Sequence, residues 1–180
     1  LGNLMNACRG FIGTGFENYV SAYGDAAIII GTCNKIEQGS TTGGNFIGSG
    51  NCNIITGSNT NYATILNGAN NCLSGSNSCA FIGTGRLNSI CGNSCYAVIV
   101  GGFNQTSSNS QYSFIGGGVQ NTICSSVSSY SSYACHVIVG GKNNKITTIS
   151  SQGLNFIGGG NANTISEYAG ESVLVGGGCN

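Results

Sequence analysis

The chain has 180 residues, five of them basic and five acidic, so it carries no formal net charge and lacks the basic surplus that nucleic acid or acidic lipid would attract. Its 32 glycines, with no proline or tryptophan, recur at fixed places among Val, Ile and Phe, which predicts an ordered repeat and not a flexible linker. No apolar run approaches the roughly 20 residues that cross a bilayer, so membrane insertion is not expected.

Taken in chain order, a short apolar run followed by a turn residue returns along the whole sequence. The residue before the turn is Ile12, Ile30, Ile47, Leu66, Ile82, Val100, Ile115, Val139, Ile157 and Val175, at intervals of 15 to 24 residues that average about 18. Runs such as Val98-Ile99-Val100 and Val137-Ile138-Val139 are β-branched and too brief for helices, so they read as strands of about three to five residues. A second apolar position follows each turn, at Val20, Ile36, Ile55, Leu73, Ile90, Ile123, Ile146 and Ile165, and a polar return closes the unit. Ten such units predict one all-β domain over residues 1–180, a β-solenoid or β-roll. The start at Leu1 and the stop part-way through a repeat suggest a segment of a longer fibre.

The turn residue is Gly13, Gly31, Gly48, Gly83, Gly101, Gly116, Gly140, Gly158 and Gly176, with Asn67 as the exception. Asparagine is the non-glycine residue that most readily adopts positive φ, so this corner is expected to be left-handed. An asparagine follows in each complete turn, at Asn18, Asn34, Asn53, Asn70, Asn88, Asn104, Asn121, Asn143 and Asn163, where stacked amides are expected to form a ladder.

A doubled period overlies the first. The residue two before the turn alternates Phe11, Ile29, Phe46, Ile65, Phe81, Ile99, Phe114, Ile138, Phe156, Leu174, and among the complete turns only the Phe turns carry a glycine at the third position, at Gly15, Gly50, Gly85, Gly118 and Gly160, where the others carry Cys33, Ala69, Phe103 and Lys142. Stacking like on like predicts that two repeats pair into a coil of about 36 residues, with a Phe column facing an aliphatic column across the core.

The segments Phe114 to Ile123 and Phe156 to Ile165, both Phe-Ile-Gly-Gly-Gly-x-x-Asn-Thr-Ile, alternate with Val137-Ile138-Val139-Gly140-Gly141. This pattern resembles the head repeats of trimeric autotransporter adhesins, and is similar to glycine-rich repeats in tail-fibre-like proteins of phages and large viruses. The resemblance implies an extracellular, cell-surface or virion-surface fibre, intertwined as a trimer in which chains share a β-roll.

Ten cysteines form an even set, which suits disulfides in an oxidising compartment, although buried free thiols fit the same count. Cys91 and Cys124 each follow the second apolar residue of successive Phe turns and would be neighbours in a two-repeat coil, so they are the candidate disulfide. The Gly-x-Gly motifs have no following Lys-Ser/Thr, and Asp25 is the sole aspartate, so neither a phosphate loop nor a calcium-binding roll is expected. His136 is the only histidine, and no catalytic set, metal site or cofactor site can be assembled around it. Asn104-Gln105-Thr106 is a glycosylation sequon. The stretch from residue 124 to 136 is the longest insertion, and its Tyr130 and Tyr133 are candidate ligand contacts.

These observations predict a non-catalytic structural subunit, a rigid shaft or adhesive head that associates as a homotrimer or end to end. A glycan- or receptor-binding module using Tyr62, Tyr96, Tyr112 and Tyr130 is the alternative, and an ice-binding solenoid fits less well because no threonine ladder is present.

Overall fold

The computed structural model describes residues 2–39, 43–125, 133–149, 152–166 and 170–178. Two long strands, β1 (Leu4–Phe16) and β2 (Tyr19–Thr32), pair in parallel along both halves of the first coils. From there each coil contributes two short strands. One stack holds β4 (Asn45–Ile47), β6 (Thr64–Ile65), β8 (Phe81–Ile82), β10 (Val98–Ile99), β12 (Phe114–Ile115), β14 (Tyr133–Ile138), β16 (Gln152–Ile157) and β18 (Glu171–Leu174). The other holds β3 (Lys35–Gln38), β5 (Ile54–Gly57), β7 (Cys72–Gly75), β9 (Ser89–Gly92), β11 (Thr106–Ser108), β13 (Thr122–Ser125), β15 (Lys145–Thr148) and β17 (Thr164–Ser166). Beyond β3 every strand pairs in parallel with the strand two further on, and a line of single bridges from Thr32 through Asn51 and Ala69 to Gly178 ties the corner between the stacks. The molecule is a β-solenoid of about nine turns.

One repeat makes one coil, which overturns the expected 36-residue pairing. Phe46 stands against Thr64 and Thr64 against Phe81, so unlike turns are direct neighbours. This stacking is sterically permitted because the predicted alternation is not one structural position: its Phe46, Phe81, Phe114 and Phe156 lie outside the core, whereas its Ile65, Ile99 and Ile138 lie inside. Inside, Ile47, Ile65, Ile82, Ile99, Ile115, Ile138 and Ile157 form one fully buried column. Across from it, Val20, Ile36, Ile55, Leu73, Ile90, Ile123, Ile146 and Ile165 form a second, broken only by buried Ser107. Large-against-small packing across the core, expected for Phe, is therefore absent; like packs on like, and a coil spacing of about 4.8 Å brings successive isoleucines into contact.

The corner glycine also differs from expectation. Positive φ falls at Gly15, Gly31, Gly50, Gly68, Gly85, Gly102, Gly118, Gly141, Gly160 and Gly177, which include only Gly31 of the predicted set. At Gly50 a Cβ would lie 2.1 Å from the Gly68 carbonyl oxygen on the next coil, so both backbone conformation and close approach demand glycine. Gly48, Gly83, Gly116 and Gly158 are needed for space alone. A Cβ there would sit 2.3–2.4 Å from a carbonyl of the next coil and against the ring of the preceding Phe. Asn67 corresponds in its turn to Gly101 and Gly140, where a Cβ meets nothing closer than 3.2 and 4.0 Å, so its side chain is accommodated without a left-handed backbone.

Three residues after each of these glycines from Gly15 to Gly160 comes the buried ladder residue: Asn18, Asn34, Asn53, Asn71, Asn88, Gln105, Asn121, Asn144 and Asn163. Asn70, Asn104 and Asn143 are thus not rungs; they occupy the exposed left-handed position just before, with φ near 55°. The ladder is built chiefly from side chain to backbone. Asn53 Nδ2 donates to Gly68 O at 2.8 Å, and Asn53 Oδ1 accepts from Asn71 N at 3.1 Å. The pattern repeats at Asn88, whose Nδ2 donates to Gly102 O at 3.2 Å and whose Oδ1 accepts from Gln105 N at 3.0 Å. A rung such as Asn53 so gives the buried N–H of the next rung its partner and adds a second donor to a corner carbonyl that already accepts from the backbone, as Gly68 O does from Asn51 N.

Candidate functional site

The outward faces of β4 to β18 carry an alternation that shares only its Phe residues with the one read from the sequence. Phe46, Thr64, Phe81, Val98, Phe114, Val137, Phe156 and Val173 follow one another coil by coil. Two residues further along each strand the column runs Gly48, Leu66, Gly83, Val100, Gly116, Val139, Gly158, Val175. Where the first column holds Phe the second holds glycine, so each Phe ring lies over its own glycine, and the coils on either side carry aliphatic side chains in the second column. Leu66, Val100 and Val139 remain 52, 44 and 49% exposed, and none of the residues in the two columns is charged. A shallow open groove of about 710 Å³ runs between Phe46, Leu66, Phe81 and Val100. The residues before the turn that served to number the repeats are thus of two kinds: Ile47, Ile82 and Ile115 point inward, whereas Leu66, Val100 and Val139 point outward.

A second column occupies the far corner. Tyr62, Cys79, Tyr96 and Tyr112 hold the left-handed position there on four consecutive coils, with φ of 54, 57, 58 and 51°. The rings of Tyr96 and Tyr112 stack with centroids 5.0 Å apart and planes within 3°. This gathers three of the four tyrosines expected to contact a ligand onto one edge. Tyr130 lies outside the described residues, as do residues 126–132 generally. The ends of the predicted insertion are not loop, because Cys124 and Ser125 belong to β13, and Tyr133 to His136 belong to β14.

Cys91 and Cys124 are both free thiols, and the expected bridge between them is not formed. Ser108 pairs with Cys91 on one side and Cys124 on the other, so one whole coil intervenes and the Cα atoms are about 10 Å apart, beyond disulfide reach. Asn104 is exposed at its corner, with Gln105 taking the rung inside, so its amide points to solvent and not into the ladder.

His136 is fully buried in the column that elsewhere holds Ala63, Ala80 and Ala97. Its Nε2 is 3.2 Å from Thr148 Oγ1 and its Nδ1 is 3.4 Å from Asn155 Nδ2. Burial pushes its imidazole down to about 4, so it is neutral at pH 7. Neither neighbour is ionisable, and among the described residues no group of His, Cys, Asp and Glu has the arrangement of a metal site.

Comparison with protein-family models, with curated proteins and with solved structures finds no match.

Proposed function

We propose that the chain is a structural subunit of an extracellular or virion-surface fibre, and that it packs side by side with copies of itself through the apolar face of β4 to β18. The observation that supports this is the continuous uncharged stripe of Phe, Leu and Val on that face. Eight coils at about 4.8 Å make a strip roughly 40 Å long, and at two side chains' width it offers on the order of 500 Å². Two copies face to face would bury about 1,000 Å², near the lower edge for a stable interface. The partner is another copy because the knobs recur every second coil, about 9.6 Å apart, a period that an identical solenoid reproduces along its whole length. With so few charges, little electrostatic repulsion opposes the contact.

Sedimentation of the purified chain tests the reading. The wild type is expected to associate, and a Leu66→Lys, Val100→Lys double variant to run as a monomer with an unchanged far-UV circular dichroism spectrum. A wild-type chain that stays monomeric at high concentration would contradict the proposal. Assembly that persists in the double variant would move the contact to the open strand edges at β1 and β18.

A further inference from the structure

Glu17, Cys33 and Cys52 occupy the same left-handed corner on three consecutive coils, with φ of 56, 54 and 53°. The stacking is fixed by the backbone: Cys33 N donates to Phe16 O and Cys52 N to Thr32 O, both at 2.9 Å, and Thr32 bridges Asn51 alongside. Successive coils of a parallel stack lie about 4.8 Å apart, inside the Cα separation of roughly 4.4–6.8 Å that a disulfide spans. The Cys52 side chain stands near enough to Cys33 to help push its thiol pKa up. Cys33 Sγ also donates to Glu17 Oε2 at 3.4 Å. All three residues are half-buried, so a small oxidant can reach them. No other two cysteines among the described residues share one position on adjacent coils.

We propose that Cys33 and Cys52 are a modification site, a disulfide that staples two successive coils, formed by exchange with a small-molecule disulfide such as oxidised glutathione. The Glu17 carboxylate holds the Cys33 thiol protonated, pushed up to about 11, which leaves Cys52 to act first. The Cys52 thiolate attacks one sulfur of glutathione disulfide; the S–S bond breaks, one glutathione leaves as thiolate and a mixed disulfide forms on Cys52. Cys33 then loses its proton to solvent, and its thiolate attacks the Cys52 Sγ of the mixed disulfide, expelling the second glutathione thiolate. Two protein thiols are oxidised to one disulfide, one glutathione disulfide is reduced to two thiols, and the two protons lost by the cysteines pass through solvent to the departing glutathione thiolates. The site is independent of the fibre reading, since it lies within a single chain.

The test uses the intact chain with oxidised glutathione, followed by alkylation, unfolding and tryptic digestion. Cleavage at Arg9, Lys35 and Arg86 yields a peptide 10–35 whose sole cysteine is Cys33 and a peptide 36–86 holding Cys52, Cys72 and Cys79. These two peptides are expected to emerge joined, to stay joined in Cys72→Ser and Cys79→Ser variants, and to separate in Cys52→Ser. Glu17→Gln, which removes the charge that holds Cys33 protonated, is expected to speed the second step and leave several-fold less glutathione on Cys52 at a fixed time. Full alkylation of Cys33 after oxidant, in a chain whose circular dichroism shows the folded solenoid, would overturn the proposal. A link from Cys33 to Cys72 or Cys79 would overturn it equally, and an unchanged closure rate in Glu17→Gln would remove Glu17 from the chemistry.

Discussion

Adjacent glycines in this chain do different work, and Gly140 and Gly141 separate the two kinds. At Gly141, φ is +92° and a Cβ would lie 2.3 Å from the Gly160 carbonyl oxygen, an atom of rigid backbone on the next coil. At Gly140 the nearest atom is 4.0 Å from where a Cβ would stand, and φ is not positive. Gly141→Ala is therefore expected to cost upwards of about 3 kcal/mol, from left-handed strain and overlap together. Gly140→Ala is expected to leave stability unchanged or raise it by about 0.4–1 kcal/mol through the unfolded chain. Denaturant midpoints of the two variants check this directly. The distinction was half legible in the sequence. Anchoring the repeat on the glycine that follows the apolar run marks the Phe turns correctly, but in Val98-Ile99-Val100 and its relatives three apolar residues in a row hide which one faces inward. The spacing that holds in every turn is Gly-x-x-Asn/Gln, as in Gly50 to Asn53 and Gly68 to Asn71, and Asn70-Asn71 and Asn143-Asn144 conceal it by doubling the asparagine. A slip of one residue there moved the predicted rung from Asn71 to Asn70 and from Gln105 to Asn104.

At the scale of the element, the coil around β11 is the one with the most polar interior. Ser107 stands in the aliphatic column between Ile90 and Ile123, with its Oγ 2.6 Å from Ser113 Oγ. Gln105 replaces asparagine in the ladder, and while its Oε1 accepts from Asn121 N at 2.9 Å, its Nε2 is buried with no partner. The extra methylene carries the amide past the carbonyl of Gly118, which the shorter side chain reaches at every equivalent corner, as Asn88 reaches Gly102 O. Gln105→Asn is expected to restore that bond and to stabilise the chain by about 1 kcal/mol, the gain from pairing a buried donor less the small void left behind. The measurement is a shift in denaturant midpoint at constant slope. The alternating stacks themselves were readable from β-branched runs at an 18-residue interval, because a strand that short can bury only one side chain and must repeat to build a core. The size of the coil was not readable, since the doubled period belongs to the outer surface and nothing in the residue types says which face they take.

For the molecule as a whole, acid sensitivity concentrates on one residue. Only five carboxylates are present in 180 residues, so little of the usual acid-linked stability can come from them. His136 is different: its ordinary value is 6.5 and burial pushes it down to about 4 in the folded chain. Between those values the unfolded chain binds a proton that the folded chain refuses. Stability is therefore expected to hold above pH 6.5, to fall by about 3 kcal/mol as pH drops towards 4, and to level off below it. Chemical unfolding across this range checks the slope. A His136→Asn variant, which places in that column the residue found at Asn45 and Asn155, is expected to flatten it.

The chequerboard of Phe over glycine and Leu or Val over Phe has a consequence for how such a chain can grow. Every coil bonds to its neighbours through the same rungs and the same isoleucines, so the interior accepts one more repeat or one fewer at any point. The surface does not. Removing the single coil that carries Leu66 would set Phe46 directly against Phe81 and bring Gly48 onto Gly83, putting two bulky rings on neighbouring levels and a bare strip beside them. Length changes that respect this face come in twos, which makes the doubled period a rule of parity: the fold counts single repeats, and the duplications it can absorb count pairs.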